Sequence, residues 1–78
     1  MKNNIKVATA LLRMHAGGVP LTASAVASET GVHVTDTGNF LRYWAAAGWL
    51  EKQREGIHMI FSVTEKGEEG FAALIDKS

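Results

Sequence analysis

The chain has 78 residues, 46% of them hydrophobic, and eight basic residues balance eight acidic ones to a formal net charge of +0. That composition excludes a disordered polyelectrolyte, and the absence of cysteine excludes a disulfide framework and a thiolate zinc site. One domain over residues 1–78 is expected, in a reducing cytoplasm, with no signal peptide or membrane-spanning run in view.

The first helix is predicted from about Asn4 to His15, because Ile5, Ala8, Leu11 and Leu12 recur at helical spacing. Gly17-Gly18 stops it. Val19-Pro20-Leu21 reads as a short extended piece, since Pro20 disfavours helical geometry at Val19. Thr22 is a good N-cap for a second helix through about Thr30, with Val26 and Ala27 inward and Gly31 at its end. A third helix is predicted over Thr35–Ala47, with Thr35 as N-cap and Asp36 at the positive end of the helix dipole. Phe40, Leu41 and Trp44 form its buried stripe, and Gly48 ends it.

A hairpin follows. Glu51 to Gln53 starts a polar strand, Arg54-Glu55-Gly56 turns, and His58 to Val63 returns. Ile57, Met59, Phe61 and Val63 alternate at strict period two, the pattern of a half-buried strand. The last helix begins after Thr64, runs to about Asp76 and buries Phe71, Leu74 and Ile75.

Three segments in this order, PLTASAVASETGV, FLRYWAAAGWLEK and FSVTEKGEEGFAAL, resemble the winged helix-turn-helix domains of small bacterial or phage regulators of the MarR and PadR kind. The resemblance spans about Ile5 to Ile75. It implies an α+β fold: a three-helix core, a two-stranded β-hairpin wing and a C-terminal helix. It also implies a transcriptional regulator that places the third helix in the major groove of double-stranded DNA and the wing on the adjacent backbone. The sequence departs from the pattern at Ala25, where relatives often carry an acidic residue, and in a third helix poor in Arg and Lys with Asp36 and Gly38 in its first turns.

With Phe40, Leu41 and Trp44 inward, Thr35, Asp36, Asn39, Arg42 and Tyr43 are the outward residues able to meet base edges. Asn pairs bidentately with adenine and Arg with guanine. On the wing, Lys52, Arg54 and His58 can touch phosphates or enter a minor groove, with Arg54 the strongest candidate. The bland reading of both surfaces is a solvated face. Most DNA-binding domains are basic, so the neutral balance keeps open a winged-helix module that binds a protein instead. Clustering of Lys2, Lys6, Arg42, Lys52 and Arg54 on one face favours DNA, and their dispersal favours protein.

His15, His33 and His58 are too dispersed for a metal site, and no cofactor is implied. Ser24 and Ser28 have no nearby base in sequence, so the chain is not expected to be an enzyme. Trp44 and Trp49 read as core and core-edge residues, the alternative being an exposed Trp49–Tyr43 patch. A core this small is marginal. A homodimer or a larger protein partner is therefore expected, with Val7, Phe71 and Ile75 as contacts on the first and last helices.

Overall fold

Cap chemistry sets the helix boundaries in the computed structural model, which describes residues 1–78. The order is α1 (Asn3–Ala16), α2 (Ala23–Thr30), α3 (Val34–Ala46), β1 (Leu50–Glu55), β2 (His58–Val63) and α4 (Glu65–Asp76). Both α1 and α3 end in a glycine at positive φ, and in each the next N–H reaches back into the last turn. The Val19 N–H donates to the Met14 carbonyl at 2.9 Å, and the Trp49 N–H donates to the Trp44 carbonyl at 2.9 Å. Thr22 caps α2 as expected, its Oγ1 accepting from the Ala25 N–H at 3.1 Å. The third helix differs from the sequence expectation. It runs Val34–Ala46, and its cap is the His33 ring, whose Nδ1 accepts from the Thr35 N–H at 3.1 Å. Thr35 is thereby inside the first turn, with its side chain free.

β1 and β2 pair antiparallel from Leu50↔Val63 to Glu55↔His58. The two central turn residues are therefore Gly56 and Ile57. Only Gly56 has positive φ (63°), which is the type II′ arrangement that matches strand twist. The period-two expectation fails at this end. Ile57 is part of the turn and 88% exposed, and Met59 is 37% exposed, so only Phe61 and Val63 of that series are buried. The extended piece before α2 meets the edge of this two-stranded sheet through one isolated bridge: the Phe61 N–H donates to the Leu21 carbonyl at 2.7 Å.

One apolar cluster joins all six elements, with Val7 and Leu11 of α1, Val26 of α2, Leu41 and Trp44 of α3, Leu50 and Phe61 of the hairpin and Phe71 of α4. Each such side chain contributes roughly 1.5–3 kcal/mol by leaving water. Phe40 is only half-buried. Thr37, absent from the expected stripe, is fully buried and donates to the Val32 carbonyl at 3.4 Å. Val7 and Phe71 are also fully buried, which removes both from the expected dimer contacts. No helix is long and apolar enough to cross a membrane.

Phe40, Trp44, Phe71 and Trp49 form a continuous aromatic chain, with Phe71 edge-on to both tryptophans at 4.8 and 5.2 Å. Trp49 fits because α4 presents two glycines to it. A Cβ on Gly67 would lie 1.9 Å from the Trp49 carbonyl oxygen, and one on Gly70 would lie 2.6 Å from its indole. Gly67→Ala is therefore expected to cost about 3 kcal/mol or more, the upper range of overpacking, because backbone and not a flexible side chain must yield. Trp44, 4% exposed, should cost about 3–5 kcal/mol on replacement by Ala. Denaturant titration measures both.

Candidate nucleic-acid interface

Helical phase decides what α3 offers to solvent. Thr35, Asn39, Arg42 and Ala46 recur on one stripe, and all are exposed. Arg42 Nη2 donates to Asn39 Oδ1 one turn back, so the guanidinium is held against the helix. Asp36 and Tyr43 fall on the opposite flank of the stripe from Gly38. Tyr43 is 71% exposed. Trp49 turns onto α4 and Phe71, which leaves Tyr43 outside the aromatic chain and dissolves the alternative Trp49–Tyr43 patch.

Beside the stripe, a groove of about 720 Å³ separates α3 from the hairpin. Gly38 and Arg42 form its helical wall, Lys52, His58 and Met59 its hairpin wall, and Thr22 and Ser24 close one end. Three of the eight candidate residues, Arg42, Lys52 and His58, thus converge on one concavity. Arg54 pairs with Met59 on the same hairpin face as Lys52, nearer the turn. Thr35 and Asn39 stand on the ridge above, while Asp36 and Tyr43 stand apart on its far side. Sequence reasoning missed Gly38, Ser24 and the exposed Ile57. Ile57 was within reach of turn chemistry, since a Gly-X pair closes a two-residue hairpin loop.

The charges sort by element. α4 carries one lysine against four carboxylates, and the rest of the chain carries seven basic residues against four acidic ones. The groove and hairpin hold Arg42, Lys52 and Arg54, opposed there by Glu51 and Glu55. Arg13 is tied to Glu29 at 2.9 Å. Lys2 and Lys77 line a separate groove at the free ends of α1 and α4. Three of the five basic residues singled out from the sequence therefore share a face, and Lys2 does not.

Ser24, His58 and Glu55 share the first groove, but no hydrogen bond joins Ser24 to His58 or His58 to Glu55.

Solved structures share this arrangement. AF1382 from Archaeoglobus fulgidus superposes with a TM-score of 0.81 at 17% identity, over 91% of this chain and 78% of its own. MepR, a transcription regulator of the Staphylococcus aureus multidrug efflux pump MepA, has a TM-score of 0.70 at 17% identity, over 92% of this chain and 57% of its own. The chain has the winged-helix fold. The same fold matches 22% of human N-acetylserotonin methyltransferase, solved in complex with SAM, with a TM-score of 0.61 at 20% identity over 85% of this chain. The β1–β2 hairpin is the wing. No family model matches the chain, and no curated protein matches it in sequence.

Proposed function

We propose that the chain is a sequence-specific, duplex-DNA-binding transcriptional regulator of the small MarR or PadR kind, and not an enzyme. One observation carries this reading. The α3 stripe of Thr35, Asn39 and Arg42 is free of the core, polar and exposed, and Lys52 and Arg54 of the wing stand on the side of the hairpin nearest it. The fold shared with MepR, a transcription regulator, supports it.

In this reading α3 enters the major groove. With Asn39 Oδ1 engaged by Arg42, the pair turns its remaining N–H donors outward. Donors meet the N7 and O6 acceptors of guanine, so a guanine in each half-site is the preferred partner. The wing lies across the next stretch of backbone, with Arg54 on a phosphate and the exposed Ile57 able to wedge into the adjacent minor groove.

A mobility-shift series separates the roles. Arg42→Ala should weaken the selected site by about 1–3 kcal/mol and relax its sequence preference. Arg54→Ala should weaken all duplexes alike and flatten the salt slope by about one unit, as loss of a phosphate contact does. Absence of any wild-type binding to duplex at low salt overturns the reading.

A single module of this size reads few base pairs, and two-fold sites call for two copies. With Val7 and Phe71 buried, the dimer contact falls to the half-buried Leu74, which lines a groove with Met1 at the α1–α4 ends, and to the half-buried Ile75 next to it in sequence. Sedimentation should show a concentration-dependent dimer that Ile75→Asp dissociates. A wild-type monomer at high concentration leaves this contact unused.

A further inference from the structure

Gly18, Gly31, Gly48 and Gly56 have positive φ, where a side chain is strained. Gly67 and Gly70 make room for Trp49. Gly17 sits at the end of α1. Among the glycines inside helices, Gly38 alone has space for a side chain, on ordinary helical backbone. A Cβ there would meet only Arg42 Nη1, at 3.8 Å, an ordinary contact distance. Nothing within the chain asks for glycine at 38, and glycine is the worst non-proline residue for a helix interior.

Gly38 forms the α3 wall of the basic groove, opposite Lys52 and His58. Arg42, one turn on, runs back across it and bonds Asn39. The wall between the ridge and the wing is therefore bare backbone overlaid by one guanidinium. Bare backbone admits a close neighbour once the Arg42 guanidinium turns out to meet it, and Arg42 and Lys52, which outnumber Glu55 in the groove lining, favour an anionic one.

From this we infer that Gly38 is the point of closest approach of a DNA strand to the protein. Resting on the duplex-binding reading, the inference adds the strand's path. The sugar-phosphate run that separates the major groove, read by the Asn39–Arg42 ridge, from the minor groove under the wing seats between Gly38 and Lys52. Its phosphates are held by Arg42, Lys52 and His58. The missing side chain is a requirement of the ligand, met at the expense of the helix.

The two properties then move in opposite directions on substitution. Gly38→Ala should raise the thermal midpoint by about 4–8 °C, since alanine is the best helix former and its Cβ has room. The same variant should bind duplex about tenfold more weakly, as a methyl group overpacks the seat. Gly38→Leu should keep most of the gain in midpoint, leucine being nearly as good a helix former, and bind more weakly still. Calorimetry and fluorescence anisotropy on one labelled duplex, with wild-type protein alongside, read both properties. Equal duplex affinity in wild type, Gly38→Ala and Gly38→Leu overturns the inference and leaves the duplex-binding reading intact. A lower midpoint in Gly38→Ala overturns it too, by showing that the fold itself needs the glycine. Wild-type protein that binds no duplex overturns the underlying reading along with it.

Discussion

Trp49 fixes the angle between α3 and the wing, and the rest of the interface follows from it. Gly48 at φ 84° reverses the chain, so that Trp49 leaves α3 already bonded to Trp44. The Trp49 carbonyl accepts from the Thr64 N–H at 3.1 Å, and the Thr64 hydroxyl donates to the Gly48 carbonyl at 2.7 Å. That hydroxyl oxygen also caps α4 by accepting from the Gly67 N–H at 3.0 Å. Both strands spring from this junction, β1 at Leu50 and β2 ending at Val63. The base of the wing is thus tied to the cap of α4 and to the seat of the Trp49 indole against Gly70. A groove held open this way exists before any ligand arrives, and preorganisation of that kind reduces the ordering a ligand must impose.

What the sequence disclosed follows the range of the forces involved. Helix ends were legible because caps are local: Thr22, Gly31, Gly48 and Thr64 act within a few residues of themselves. The order of elements was legible because apolar periodicity is local as well. His33 was missed as a cap because serine and threonine dominate that position, and Thr35 stood in the obvious place. Period-two alternation carried through the turn puts Ile57 on a strand; the left-handed Gly56 takes precedence and throws Ile57 to the tip. Gly67 and Gly70 were illegible for a different reason. Their meaning depends on Trp49, which lies on another element, and only the folded chain brings them together. For the same reason Val7 and Phe71 looked like surplus apolar surface, although the aromatic chain and α1 bury them fully.

The net charge of +0 conceals a division that matters more than its sum. The carboxylates of Glu65 and Glu68 sit in the first turn of α4, where the helix dipole stabilises negative charge. That placement removes acid from the groove face while serving the fold. Within the groove Glu55 opposes Arg42 and Lys52, so the surface is mildly basic. Mild positive potential makes little non-specific affinity, so a duplex bound on this face would be held by the fit of its contacts more than by counterion release.

The core explains why this chain folds and is silent on what it binds, since the same fold occurs in a transcription regulator and inside a methyltransferase. Function has to be read from side chains that folding does not use. On α3 those are Thr35, Asn39 and Arg42, and Arg42 has a double position. It bonds Asn39 on the ridge and also lines the groove. If α3 reads bases while a strand seats beside it, one guanidinium faces both, and any shift of the strand is felt at the base edge. Sequence preference and backbone positioning are then coupled at Arg42. Arg54, on the wing and outside the groove, would in that reading touch the backbone alone. A winged helix with a weakly basic reading helix can still be selective by this route, because a misplaced strand costs it the base contact as well as the phosphate.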